Sequence, residues 1–510
     1  MPRRGRENRM AARVSGADVL TPPVYGGMKG GAYKPMTEDQ MQRVLDTALD
    51  LLEEVGMGGP VPEFIEVVTD AGGWMDEHGR LHFPRKVVEQ IIDTATKEWV
   101  WHGFDESLSA EMGGEKVHFS TAGAAVLRLD HESQEFKFPS ARDIYDSARL
   151  ADTLEHIHIY LRTIVARDMV ESRDLDLMTA YAVMMGTSKP SGTSFFRPEH
   201  VHEAVAMFDM AMGGEGEFRK RPFMTANATF VVPPMQFAYE TAECMVAQVE
   251  TGFPINLLSA GQAGATSPAT LAGSLVQALA ECLSALTCVN LLNAGHPCLM
   301  GMWPFVSDLR TGAMTGGSGE EAVLNAAAAQ LLNWMGLPSS VAAGMADSKI
   351  PDAQAGHEKA LTVALAAHAG ANVVYESAGM LGSLLVYSHE MMVIDNDMLG
   401  AINRTIRGVD VSDDTLAKEV IRDTIFGAGH FLGSDQTLSV MQSEYIYPAV
   451  GDRQNPSDWQ EAGSKDAKDR AHEIVRQTLS THFPTHVSHE TDDKIRATFD
   501  IKIPIEHTRA

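Results

Sequence analysis

Residues 254–293 read PINLLSAGQAGATSPATLAGSLVQALAECLSALTCVNLLN. A short apolar run, Pro254–Ala260, is followed by a loop of Gly, Ala, Thr and Ser, and then by Pro268–Asn293, whose polar residues recur at helical spacing. A buried strand, a small-residue loop and a helix opened by proline is the βα half of a crossover unit. The same rhythm runs outward from this stretch in both directions. Strands are predicted at Ile157–Ala166, Pro190–Phe196, Phe223–Val232, Pro297–Pro304, Ser340–Ala346 and Asn372–Ala378, with an eighth inside Val117–Leu129. Helices follow most of them: Pro198–Met212, Pro234–Thr251, Gly319–Met335 and Asp352–Ala369, with another opened by Ser140 and Asp143. Alternation at this spacing demands parallel strands and crossover helices. Seven or eight units favour a closed (β/α)8 barrel over an open doubly wound sheet, and no Gly-rich nucleotide turn follows the first strand.

Before the barrel the pattern changes. Thr37 and Gln40 have capping-box spacing ahead of an amphipathic run that Gly56 closes. A helix from Pro62, a hairpin across Gly73–Phe83 turning at His78-Gly79, and a helix opened by Pro84 complete a small α/β module. The predicted organisation is an arm over 1–36, the module over 37–115, the barrel over 116–400 and a helical extension over 401–510. That extension holds a Gly-rich turn at Gly427–Gly433 and an aromatic knot of Tyr445, Tyr447 and Trp459.

Composition sets further bounds. The 510 residues are 44% hydrophobic and 21% charged, as in ordinary globular proteins, and 41 basic against 68 acidic residues give a net charge of −27. Such a chain repels phosphate backbones, which argues against nucleic acid as a partner. No run reaches the roughly 18 uninterrupted apolar residues of a membrane span. The Arg-rich segment Met1–Arg13 has no apolar stretch behind it, so it reads as a basic arm rather than a secretory signal. Cys244, Cys282, Cys288 and Cys298 form no CxxC pair and read as small buried residues of a cytoplasmic protein. No HExxH or Walker A motif is present. His156 and His158 would share a strand face pointing inward, yet no third ligand stands at a telling spacing, so no metal site is assigned.

Aromatic residues fall at predicted strand ends: Phe195, Phe196, Phe230, Trp303 and Tyr375, the last followed by Glu376. Aromatic faces hold a quaternary ammonium ion, which has no hydrogen to donate. A second patch, Asp347, Lys349 and Asp352, sits in the loop after the Ser340–Ala346 strand. Lys349 there could clamp a carboxylate or form a Schiff base, which leaves a barrel lyase or aldolase as an alternative function.

The stretches GQAGATSPAT at 261–270, GMADSKIPDAQAGHEK at 344–359, GHFLGSDQT at 429–437 and EYIYPAVGDR at 444–453 resemble the trimethylamine methyltransferase family. The resemblance runs from about Thr37 into the C-terminal extension. It implies a (β/α)8 barrel and transfer of a methyl group from a methylated amine to the cobalt(I) of a corrinoid (cobalamin) on a separate corrinoid-binding protein. One branch of the family uses pyrrolysine to demethylate trimethylamine. All positions here are standard residues, which resembles the other branch, whose members act on quaternary amines such as glycine betaine. The chain itself lacks the Asp-x-His-x-x-Gly motif of cobalamin carriers: Asp76-Glu77-His78 is followed by Gly79, not by a glycine at 81. The resemblance implies that no cofactor is bound by this chain. Glu376 and Asp347 are then the candidate catalytic carboxylates. Phe195, Phe196, Phe230, Gln262, Trp303, Lys349 and Tyr375 are the candidate substrate-binding residues, with Lys349 or Gln262 on the betaine carboxylate. A betaine-binding protein without catalysis is a further alternative, and a homo-oligomer is expected by analogy with other large barrels.

Overall fold

The computed structural model describes residues 22–509. The basic arm at Met1–Arg13 therefore lies outside the described residues.

Eight parallel strands close into a barrel: β1 Lys116–Phe119, β2 Tyr160–Leu161, β3 Ser191–Thr193, β4 Met224–Ala228, β5 Ile255–Ser259, β6 Cys298–Met302, β7 Ser339–Ala342 and β8 Val373–Tyr375. Each pairs with the next, β8 returns to β1 through Val373↔His118 and Val374↔Phe119, and a parallel bridge Ser120↔Ile159 joins β1 to β2. All eight predicted strands are present, in the predicted order. They are shorter than their apolar runs. Ile157–Ala166 reduces to two ladder residues, and the Val117–Leu129 stretch splits into β1 and a separate short strand, Leu127–Leu129. Extended residues beyond the ladder belong to the loops at the barrel ends.

The helices are α1 Ala141–Asp152, α2 Ser172–Gly186, α3 Pro198–Met212, α4 Tyr239–Thr251, α5 Leu271–Leu292, α6 Gly319–Trp334, α7 Ala353–His368 and α8 His389–Arg407. Their starts are chemical. Ser140 and Asp143 form a capping box at α1, Pro198 occupies the first turn of α3, and Ser318, Asp352 and Ser388 cap α6, α7 and α8. The helix expected from Pro234 begins only at Tyr239, and that expected from Pro268 only at Leu271.

Helix α5 is predominantly apolar, with buried Gln277, Glu281 and Asn290, long enough by length and composition to cross a membrane, and largely buried. The reason is a second cover. One side packs on β5 and β6, and the other on the N-terminal module, through helices Glu38–Glu54, Pro62–Asp70 and Arg85–Thr94. That module has the predicted capping box at Thr37 and the predicted hairpin, Trp74–Met75 against Arg80–His82. Asp76 accepts from the backbone of His78 and Arg80, so it is spent on the turn.

A short strand, Met28–Lys29, pairs antiparallel with the start of β1 at the amino end of the barrel. His156 and His158 precede β2 in loop rather than sharing a strand face. Gly400 of α8 lies against His156, and the His158 ring accepts from Phe119 N–H. Helices Ala467–Thr481 and His489–Phe499 pack back on the barrel, the first on α8 and the second on α3. The aromatic knot does not form: Tyr445 and Tyr447 are each 59% exposed. The four cysteines are buried and unpaired.

Candidate active site

A cavity of about 330 Å³ opens where the carboxyl ends of the strands converge. That is the small end of the range for small-molecule pockets. Its lining comes from seven of the eight strand ends or the loops after them, from Gly123 beyond β1 to Glu376 beyond β8, and from Glu240 and Thr241 in the first turn of α4. Trp303, Phe195 and Phe305 are almost fully buried around it, and Phe196 stands half exposed at the rim. The Trp303 ring lies 5.2 Å from Tyr375 and 6.5 Å from Phe305. Its indole N–H points to Ser340 Oγ at 3.4 Å. Ser340 in turn donates to Asn256, whose amide donates to Asn227 on the cavity wall. A polar ladder across the barrel interior thus fixes the largest aromatic face.

Three charged residues line this cavity: Arg162, Glu376 and, exposed in the first turn of α4, Glu240. Arg162, the residue after β2, donates through Nε and Nη2 to Ser194 Oγ at 3.1 and 2.8 Å. Burial works against its charge, while Asp176 and Glu376 favour it. Glu376, directly after β8, has φ +63°, a left-handed conformation costly for a residue with a Cβ and typical of functional sites. Its side chain is 1% exposed and Oε2 has no hydrogen-bond partner. Burial pushes its carboxyl up to about 8, against the pull of Lys359 and Arg162. Gly123 makes room for it, since a Cβ there would stand 3.2 Å from Oε2.

The supports are buried. Asp176 accepts from Phe196 N–H at 2.8 Å and pairs with His200 Nδ1 at 2.7 Å, which holds the loop bearing both phenylalanines. Lys359 and Asp395 form a fully buried pair at 3.3 Å. Lys359 also donates to the carbonyls of Gly344 and Met380, and Asp395 accepts from Gly379 N–H, which fixes the segment after Glu376.

Of the nine residues singled out from sequence, the structure brings four into this cavity: Phe195, Phe196, Trp303 and Glu376. Tyr375 is buried behind Trp303, and its hydroxyl lacks a partner. Phe230 is a core residue packed near Phe237. Gln262 lies on a two-residue strand, Gln262–Ala263, that bends away to pair with Phe305–Val306. Asp347 and Lys349 line a separate, more polar cleft of about 630 Å³. There Asp347 accepts from Thr315 Oγ1, Gly316 N–H and Ser383 Oγ, so it ties three loops together rather than facing the aromatic rings. Lys349 is exposed and donates to the Asp347 carbonyl, which leaves the Schiff-base reading without an enclosed pocket. Arg162, Phe305, Asn227 and Glu240 are among the lining residues that sequence reading missed. Among the described residues, no group of three His, Cys, Asp or Glu is arranged to hold a metal ion.

A closed barrel with one small aromatic cavity at its carboxyl end has the layout of a barrel enzyme acting on a small molecule. The family model for trimethylamine methyltransferase (MTTB) matches residues 2–502, and the chain belongs to that family. A trimethylamine methyltransferase of Desulfitobacterium hafniense is 31% identical over 458 residues, 90% of this chain and 91% of that protein. A glycine betaine methyltransferase of the same species is 27% identical over 465 residues, covering 91% and 96%. The solved monomethylamine methyltransferase of Methanosarcina barkeri shares the fold, with a TM-score of 0.50 and 11% identity over 89% of each chain.

Proposed function

We propose that the chain moves one methyl group from a zwitterionic quaternary amine, glycine betaine or a close analogue, to the cobalt(I) of a corrinoid held by a separate protein. The observation that carries this reading is the meeting of aromatic faces, one buried carboxyl and one guanidinium in a single small cavity, with the exposed Glu240 at its edge. The rings and Glu376 suit a cation with no hydrogen to donate. Arg162, already bonded to Ser194, offers further N–H groups to a carboxylate, the part first expected of Lys349 or Gln262.

The chemistry asks little of the protein beyond position. The C–N bond breaks with its electron pair left on nitrogen, so a neutral tertiary amine departs and no proton is needed. The acceptor cobalt, the second substrate, supplies the pair for the new bond to carbon. Positive charge on nitrogen falls along this path, and a strong anionic site would hold the ground state back. A carboxyl pushed up to about 8 is largely neutral in the empty site at pH 7, so ionising it against the cation consumes part of the binding energy and keeps the ground state from being held too tightly. The cavity's work is to aim one methyl outward and to keep water away.

The test is methyl-cobalt absorbance after mixing the chain, cobalt(I) cobalamin and an amine. Glycine betaine or another carboxylate-bearing quaternary amine gives signal, whereas choline and trimethylamine give little. Signal from trimethylamine with none from any betaine overturns the proposal.

A further inference from the structure

The C-terminal extension contains a surface that the methyl-transfer site does not use. From Val409 to Tyr447 the chain leaves the barrel and returns, forming helices Lys418–Phe426 and Asp435–Val440. Neither helix contains a buried residue. Eleven of the 29 exposed large hydrophobic residues of the described chain fall in this one excursion, Val409 at 87%, Phe426 at 86%, Ile425 at 65% and Leu416 at 60% among them. Helices of nine and six residues are too short to hold their shape alone in water, so something must cover them. At about 100 Å² apiece the eleven side chains present roughly 1,000 Å². A stable interface takes about 800 Å² from each partner, and the largest apolar patch of a monomer is ordinarily about 300–600 Å².

We infer that this excursion is the surface through which two copies of the chain pair. Its position disfavours the corrinoid carrier. The excursion starts where α8 ends, at the amino end of the barrel: Asn403 and Arg407 donate to the carbonyls of Tyr25 and Pro23, just before the Met28–Lys29 strand. The aromatic cavity opens at the other end. A carrier must also leave after each transfer, and transient encounters use smaller patches. An apolar area of this size calls for a permanent cover, and a second copy is always present in equal amount. Charge adds a constraint. Residues 409–447 hold seven carboxylates against two cations, 2 − 7 = −5, on a chain of net charge −27. Two such copies repel, so pairing rests on the apolar contact and strengthens as salt screens the charges.

Sedimentation velocity of the full chain over a dilution series and a salt series tests this. The expected result is a dimer or a larger assembly built of dimers, tightened by salt. The double variant Ile425→Asp with Phe426→Asp weakens pairing at least about hundredfold, as loss of two central apolar anchors does. Both positions are exposed and lie at the opposite end of the barrel from the aromatic cavity, so the rate of methyl transfer to free cobalamin stays as in the parent. Leu416→Asp gives a smaller shift in the same direction, and amide exchange over 409–447 rises in step with dissociation. A parent monomeric at every concentration overturns the inference, as does an assembly unchanged in these variants. A third outcome also overturns it: a monomer whose 409–447 amides lose protection only when residues 1–21, with their five arginines, are removed. That result assigns the surface to the chain's own basic arm.

Discussion

Glu376→Gln separates a tuned carboxyl from an inert one. Burial pushes Glu376 up to about 8. If the quaternary cation binds only the ionised form, about a tenth of the molecules are competent at pH 7 and about a hundredth at pH 6. The apparent Kd for glycine betaine then falls about tenfold per pH unit up to about 8 and levels beyond it. The glutamine variant keeps the shape and loses the proton, so its profile is flat. Above pH 8 it binds more weakly than the parent by roughly 1.5–3 kcal/mol, about 10- to 100-fold. Titration calorimetry in buffers of different ionisation enthalpy reads both quantities, since the parent releases a proton on binding at pH 7 and the variant does not. Stability moves the opposite way. The folded carboxyl titrates above its unfolded value of about 4.5, so the fold retains a proton that the unfolded chain gives up. Parental stability is therefore eroded as pH rises from about 4.5 to 8, by up to about 5 kcal/mol from this group. Glu376→Gln removes that loss and melts higher than the parent at pH 8. A flat parental binding profile, or a slope that survives in the variant, refutes the reasoning.

Arg162→Met abolishes the preference for carboxylate-bearing amines, so kcat/KM for glycine betaine falls about 10- to 100-fold while that for choline changes little. Steady-state assays over the amine panel check it. Trp303→Ala weakens amine binding by about 1–2 kcal/mol, the range of a desolvated cation–π contact, and Phe195→Ala does the same; equilibrium dialysis measures both. Lys359→Met strands Asp395 without its cation in the interior and lowers stability by about 3–5 kcal/mol, read in urea unfolding at pH 7.

The barrel was legible because each strand is a short apolar run followed at once by a helix with its own start signal. Ser140 with Asp143, Pro198 and Asp352 announce helices that the fold then contains. Strand length was not legible, since an extended residue reads the same with or without a ladder partner. That ambiguity hid Arg162. Inside an apparent strand of Ile157–Ala166 it looks like an interior oddity, whereas β2 ends at Leu161 and makes Arg162 a strand-end residue. Phe195, Trp303 and Glu376 stood out because they follow strands that end close to where the sequence suggests. Asp347, Lys349 and Gln262 sit further along their loops, where distance along the chain no longer tracks distance in space. The short pairing of Gln262–Ala263 with Phe305–Val306 turns Gln262 aside and swings Phe305 inward. No local pattern announces that exchange.

The carboxylate of Asp347 receives hydrogen bonds from Thr315 and Gly316 in one loop and from Ser383 in another, while its own N–H goes to Glu358. Ser383 adjoins Leu384, which forms part of the cavity wall. The polar cleft is therefore knotted at one carboxylate, and through Leu384 that knot abuts the wall of the aromatic cavity. A nick in any of the three segments should slacken the other two and, through Leu384, that side of the cavity.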